Sequence, residues 1–465
     1  MKIYAIVLAA GKGTRMKSNK PKVVHEVLYK PMINHVVDEL KTMGVDETIV
    51  VVGHEAQQVK NLVDGVTFVH QEQQLGTGHA VLQANDLLKD KEGITIVLNG
   101  DAPLIRKETL QGLIEYHKNN GNQGTVMSCD CDLSLPFGRI IKEDGQVTGI
   151  VEFKDLLESQ SHITEMNVGE YCFDNKALFN ALSKVTNNNA QNEYYITDVI
   201  GIMNEDGLKV DAYKIEDFNE VGGINDRVQL AEATEMLKLR INKEHLLNGV
   251  NIIDINNTYI GRDVVIGPET TIEPGCIIKG KTVIGANCHI GPYCEFENVT
   301  IKDNVEIKFS VISDSIIESG TDIGPYARLR THCHIHENVH MGNFVEMKKA
   351  DFGKGSKAAH LTYIGDAIVG ENVNIGCGTI SVNYDGKNKS LTKIEDNAFI
   401  GCNSNLVAPV TVKKNAFIAA GSTITKDVEE DAMGIARAKQ VNKEGYSKVL
   451  EERRMKKFEE LQKKK

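Results

Sequence analysis

The chain has 465 residues, enough for about three domain-sized units and more than one buried core, with two domains as the starting expectation. Its formal charge of −11 and pI near 5.8 exclude a broad nucleic-acid or anionic-membrane surface, so any phosphate site must be local. No run approaches the roughly 18–20 apolar residues of a membrane span, the start MKIYAIVLAAGKG lacks a signal-peptide pattern, and the nine scattered cysteines never form CxxC, so a cytoplasmic protein with reduced thiols is expected.

The first half alternates apolar runs (3–10, 48–52, 94–98) with amphipathic stretches (32–43, 77–88), and further runs at 125–128 and 168–173 extend the series. This rhythm predicts an α/β, Rossmann-like domain with a parallel sheet covered by helices. After the first strand comes LAAGKGTRMKSNKPK. Gly11 and Gly13 let the backbone approach a ligand, successive N–H groups can cradle phosphate, and Arg15 and Lys22 add positive charge. No GK[ST] ends the loop and GxGxxG is incomplete, so it is neither a P-loop nor a dinucleotide fingerprint. Asp101, in Asn99-Gly100-Asp101, falls at the carboxyl edge of the predicted sheet, where ligands collect.

The glycine string with Arg15, Met16, Pro21 and Lys22 resembles the signature of sugar-1-phosphate nucleotidyltransferases. Gln71, Leu75-Gly76-Thr77-Gly78, Asp101, Phe137-Gly138-Arg139, Val151-Glu152, Asn167-Val168-Gly169 and Gly223-Ile224-Asn225 continue it over residues 1–228. The resemblance implies Mg²⁺ on Asp101 and Asn225, and nucleotide contacts from Leu8, Ala9, Ala10, Gly11 and Lys22. It implies base recognition by Gln71, Gly76 and Thr77, and sugar contacts from Gly138, Glu152 and Asn167.

The charged, Gly- and Pro-free stretch RVQLAEATEMLKLRINKEHLL predicts one long helix, a linker over 229–250. Residues 251–465 then follow a six-residue repeat. Ile260, Ile266, Ile272, Ile278, Ile284, Ile290 and Phe296 lead, and the register shifts by three to Val299, Val305, Val311, Ile317, Ile323, Leu329, Ile335, Met341 and Met347. A third run holds Ile394, Ile400, Leu406, Val412, Ile418 and Ile424. A short strand plus a turn, three per coil, fits this period, with the aliphatic residue inward. The likeness to hexapeptide-repeat proteins implies a left-handed parallel β-helix and a homotrimer. The final stretch, EGYSKVLEERRMKKFEELQKKK, reads as a solvated helix or frayed tail.

The repeat breaks at GKGSKAAHLTYIG, a predicted loop carrying His360, with Arg328, Arg330, Glu346, Lys348 and Tyr363 nearby in sequence. The string from Gly342 to Gly386 resembles the acetyltransferase half of the bifunctional bacterial enzymes that make UDP-N-acetylglucosamine, and both heads stand in the expected order. By that resemblance His360 is the general base, oriented by Glu346. Arg330 and Lys348 hold the sugar phosphate, and Tyr363 and Asn374 line the sugar site. Cys377, Asn383, Tyr384, Cys402, Ala420 and Arg437 contact acetyl-CoA. The implied reactions are acetylation of glucosamine-1-phosphate from acetyl-CoA and then uridyl transfer from UTP, a step in peptidoglycan synthesis. Sugar phosphates and nucleotides are the implied partners.

Cys377 and Cys402 stand where small residues such as Ala and Ser are expected, and Thr331-His332-Cys333-His334 replaces a Pro-Gly turn. In an extended chain His332, His334 and His336 would share one face. Because no acidic or cysteine partner has diagnostic spacing, an exposed imidazole row is favoured over a metal site. Two alternatives stand beside the bifunctional reading. A single-function nucleotidyltransferase with a structural β-helix fits poorly with His360, Lys348, Arg330 and Asn383-Tyr384 together. A regulatory scaffold fits poorly with Gly11, Arg15, Lys22, Asp101 and Asn225.

Overall fold

The computed structural model describes residues 1–463. It divides into two compact units, Met1–Asn248 with Ile255–Val264, and Gly249–Asp254 with the chain from Val265 onward.

In the first unit, Ile3–Ala9 forms the middle of a mixed sheet, parallel to Glu47–Val52 on one side and Ile94–Asn99 on the other. Its alternating side chains feed two cores. Tyr4 and Ile6 join one apolar cluster, while Ala5, Val7 and Ala9 join the cluster on the opposite face. Helix Met32–Met43 follows Pro31 and stops at Gly44, whose left-handed φ of 72° lets its N–H bond Leu40 and Lys41 carbonyls. Ile33, Val36, Val37 and Leu40 bury one stripe of that helix in the second cluster. The predicted 77–88 helix is two short ones, Thr77–Leu82 and Asn85–Leu88.

The expectation of a parallel sheet needs one correction: Glu165–Asp174 runs antiparallel to both neighbours, Ile94–Asn99 and Gly124–Asp130. Between Gly124–Asp130 and this strand lies the hairpin Arg139–Glu143/Gln146–Val151 and no α-helix, so no crossover returns the chain in parallel. Helix Arg227–Leu247 starts where the Asp226 carboxylate accepts from Val228 and Gln229 N–H, both at 2.9 Å. On it, Asn242 donates to the carbonyls of Ile255 and Thr258, and Lys238 to that of Asn256, tying residues 255–258 to the helix.

The second unit is a parallel solenoid, built mostly of two- and three-residue strands. Val265 pairs with Val283 and Thr271 with His289, eighteen residues on. Asn and Gly take many of the left-handed corners: Asn287, Asn298, Asn304 and Asn338 have φ of 55–60°, a conformation Asn tolerates well, and Tyr293, Phe309, Tyr326 and Phe344 take others. The first and third predicted runs are buried throughout. In the second run, however, Val311 is 45% exposed and Ile312 points inward, with Ile301 and Ile307 before it. Coils here shorten to sixteen residues, as Thr300 to Ile316 shows, so single deletions at corners mimic a clean shift of three.

The predicted loop at 353–365 is absent. His340–Phe352 and Lys357–Val369 are long paired strands, and His360 sits in register opposite Asn343. The true excursion is one coil later, where Ala367 pairs with Thr392, twenty-five residues on, because 383–391 bulges outward. Helix Tyr446–Gln462 is exposed along its length, and the last two residues of the predicted tail lie outside the described residues. Among the described residues, no helix is long and apolar enough to cross a membrane.

Candidate active sites

The first unit holds a cleft of about 290 Å³ at the carboxyl end of its central strands. Leu8, Ala9, Ala10, Gly11, Lys22, Gln71, Gly76, Thr77 and Asp101 all line it, joined by Asn99 of the Asn99-Gly100-Asp101 string and by Gln74 and Glu193, which sequence reasoning missed. Glycine is required at two positions. A Cβ on Gly13, at φ 61°, would lie 2.5 Å from that of Lys22, and one on Gly76 would lie 2.6 Å from the Tyr194 carbonyl oxygen. A Cβ on Gly11 would meet nothing within 4 Å, which leaves its backbone open toward the cleft.

At the rim, Lys22 forms an ion pair with Asp101, and Asn225 Oδ1 accepts from both Lys22 Nζ (3.0 Å) and Arg15 (2.8 Å). A carboxylate and an amide oxygen therefore converge on one ammonium. Oxygen donors already gathered around a cation fit Mg²⁺, a hard ion that keeps several waters. Asp101 is held in place by its own carbonyl, which accepts from Ile224 N–H at 3.0 Å.

Gly138, Glu152 and Asn167 also come together. A Cβ on Gly138 would lie 3.5 Å from Glu152 Oε2, and Asn167 N–H donates to the Gly138 carbonyl at 2.9 Å. Burial raises the Glu152 carboxyl above its ordinary range, partly offset by a bond from Thr197 Oγ1 at 3.1 Å. Thr197 and Tyr171, whose hydroxyl accepts from Asn167 Nδ2 at 2.8 Å, carried no sequence signal. Arg139 proves structural: it is 1% exposed and donates to the Leu133, Leu135 and Phe137 carbonyls, shaping the loop before Gly138. Glu170, also missed, is wholly buried, and burial and then the Asp101 charge push its carboxyl well up.

In the second unit, Arg330 and Lys348 lie on adjacent coils, in direct register. Lys389, on the bulge, presses the Lys348 ammonium below its ordinary range, with Arg330 adding a smaller push. Three cations so placed form an anion cradle, and Lys389 is the member that sequence reasoning missed. The Tyr363 hydroxyl and Asn383 amide meet over Gly365, where a Cβ would lie 2.3 and 2.9 Å from them. Asn383 Nδ2 donates to Asp366 at 2.5 Å. Cys377, Cys402 and Ala420 follow one corner of successive coils, linked by Asn403 N–H to the Cys377 carbonyl (2.7 Å) and Gly421 N–H to that of Cys402 (2.8 Å). Arg437 reaches back to the Ala420 carbonyl at 2.6 Å, Tyr384 folds onto Gly386, and Asn374 begins a strand beside Lys357.

One expected pairing fails within the chain. Glu346 Oε1 accepts from Arg330 Nε and a terminal nitrogen at 2.9 and 2.6 Å, whereas His360 Nδ1 faces Asn343 Oδ1 at 3.2 Å. The register dictates this, since Asn343 is opposite His360 and Glu346 is opposite Tyr363. Among the described residues, no hydrogen bond or ion pair joins His360 to Arg330, Lys348 or Arg437.

Residues 5–191 match a family described as MobA-like NTP transferase domain, 259–350 one described as GMPPB C-terminal domain, and 391–426 six repeats described as bacterial transferase hexapeptide. The bifunctional protein GlmU of Geobacillus sp. (strain WCH70) is 54% identical over 448 residues, covering 96% of this chain and 98% of that protein. The GlmU proteins of Listeria monocytogenes serotype 4b (strain CLIP80459) and Halalkalibacterium halodurans are each 52% identical, over 97% and 95% of this chain and 99% and 98% of theirs. The chain belongs to the GlmU family. Like other GlmU-family chains it is a bifunctional transferase, a uridylyltransferase and an acetyltransferase, with a nucleotidyltransferase fold followed by a left-handed β-helix of hexapeptide coils. The single-function alternative is set aside by full-length GlmU similarity.

Proposed function

We propose that this GlmU-family chain acetylates glucosamine-1-phosphate with acetyl-CoA and then transfers UMP from UTP to the N-acetylated sugar phosphate, releasing pyrophosphate, in the cytoplasm. The division of labour follows 1–228 and 251–465, with 229–250 between. The observation that carries the reading is the convergence of Asp101, Asn225, Lys22 and Arg15 at the mouth of the glycine-loop cleft.

In uridyl transfer, a phosphate oxygen of the sugar attacks the α-phosphorus of UTP and pyrophosphate leaves. The nucleophile is already anionic, so no general base is needed, and positioning and charge neutralisation set the rate. Gly11 N–H, Arg15 and Lys22 face the triphosphate. Gln71, Gly76 and Thr77 hold the base, and Gly138, Glu152 and Asn167 hold the sugar. Mg²⁺, held by Asp101 and Asn225, would supply positive charge to the phosphoryl oxygens.

In acetyl transfer, the glucosamine nitrogen attacks the thioester carbonyl, His360 accepts the amine proton as the C–N bond forms, and CoA leaves as thiolate. Arg330, Lys348 and Lys389 hold the sugar phosphate by charge-assisted bonds. Tyr363 and Asn374 line the sugar. Asn383, Tyr384, Cys377, Cys402, Ala420 and Arg437 face acetyl-CoA. Among the described residues no hydrogen bond or ion pair joins His360 to Arg437, several coils away, which supports a homotrimer in which neighbouring solenoids close the acetyl site.

Asp101→Asn tests the split. It should lower uridyl transfer roughly 10²-fold or more and leave thiol release from acetyl-CoA unchanged, because one ligand charge is lost in one unit only. Equal loss of both activities would contradict the assignment.

A further inference from the structure

One side-chain cluster of the solenoid lies outside the residues assigned above to either transfer. Strand His334–Ile335 sends Ile335 into the core, 0% exposed, and leaves His334 and His336 on the outer face. Their rings lie 4.1 Å apart between centroids. A carboxylate from a neighbouring coil meets each ring: Glu318 Oε1 is 3.1 Å from His334 Nε2, and Asp351 Oδ1 is 2.7 Å from His336 Nε2. One ligand atom each from His334, His336 and Asp351 lies within 4.8 Å of the others. His332 stays outside this group. It and Thr331 adopt left-handed φ of 59° and 54°, which breaks the alternation expected of an extended chain, and His332 lines a hollow with Asp314 and Ser315 that His334 borders.

The acidic partners that spacing could not disclose are supplied by coil register. Ile316 and Ile317 pair with His334 and Ile335, and those pair with Asp351 and Phe352, so three successive coils bring their donors to one patch. In a tetrahedral site with bonds of about 2.0–2.2 Å, ligand atoms lie roughly 3.3–3.6 Å apart, a spacing His334, His336 and Asp351 reach by small rotations, while Glu318, bonded to His334 and outside that trio, would swing in as the fourth ligand. Two imidazoles and two carboxylates suit a borderline transition ion and not Mg²⁺ or Ca²⁺, which take all-oxygen shells.

We propose that Glu318, His334, His336 and Asp351 form a binding site for a divalent transition metal, with Zn²⁺ as its natural probe. The ion would clip three coils together beside the strained Thr331–His332 corner that follows Arg330. This is separate from the Asp101–Asn225 pair, which has no nitrogen ligand.

The test uses the full chain, stripped with a chelator and desalted. Zn²⁺ titration by calorimetry in excess Mg²⁺ should give one equivalent bound at micromolar or tighter affinity. His334→Gln/His336→Gln should lose that equivalent, and Asp351→Asn should weaken it about 10–100-fold. Zn²⁺ should also raise the solenoid's melting temperature in the parent and not in the double variant. The substituted side chains are on the outer face, and circular dichroism would verify that the variants fold. Equal Zn²⁺ stoichiometry in parent and folded double variant, or no binding by the parent at 100 µM, would overturn the proposal and leave two hydrogen-bonded imidazole–carboxylate pairs.

Discussion

At the scale of single residues, the proposed role of His360 as the acetyl-transfer base is the sharpest point to test. His360→Ala should lower thiol release by roughly 10²–10⁴-fold, the usual contribution of a positioned base, with uridyl transfer to supplied N-acetylglucosamine-1-phosphate unchanged. The hydrogen-bond pattern separates two supporting roles. Asn343→Ala, beside the ring, should lower kcat, while Glu346→Gln, bonded to Arg330, should act mainly through KM for the sugar phosphate. A His360→Ala variant with wild-type melting temperature and unchanged thiol release would move the base elsewhere.

Secondary elements show where reading the sequence succeeds and fails. The glycine loop and Asp101 were legible because each follows a strong apolar run, and Gln71 and Gly76 because they belong to a spaced motif; Gly11, Gln71, Gly76 and Asp101 line one cleft. Lys389, Tyr171 and Thr197 were not, because register and bulges bring them in. The 383–391 excursion was misplaced onto 353–365 because coils of seventeen residues, as from Met341 to Ala358, look like a broken repeat of six. Two helices of the first unit each contribute an acid-sensitive imidazole, opposed by the half-buried Asp198 and buried Glu170 carboxyls, which burial pushes up. His35 on Met32–Met43 and His117 on Lys107–Asn119 are pushed down to about 4, chiefly by burial. The native state keeps both neutral while the unfolded chain binds protons near 6.5. Their stabilisation is therefore whole above about pH 6.5 and lost as pH falls through about 4, on the order of 3 kcal/mol for each. Between pH 7 and 4.5 the urea midpoint for loss of uridyl transfer should shift further downward in the parent than in His117→Gln, a difference that isolates this imidazole. A midpoint with the same pH dependence in that variant would show that the buried imidazole does not couple to folding.

For the whole molecule, the two activities should be separable by substitution but not equally independent of assembly. Light scattering should give three chains per particle, and dilution or solenoid-face variants that yield monomers should lose acetyl transfer while retaining uridyl transfer. A monomer with full acetyl transfer would place the entire acetyl site in one chain. The most direct test supplies glucosamine-1-phosphate, acetyl-CoA, UTP and Mg²⁺ to the purified protein and follows products by mass spectrometry. N-acetylglucosamine-1-phosphate should appear first, followed by UDP-N-acetylglucosamine with one pyrophosphate each. Uridylated product without any N-acetylated intermediate would contradict the two-headed reading.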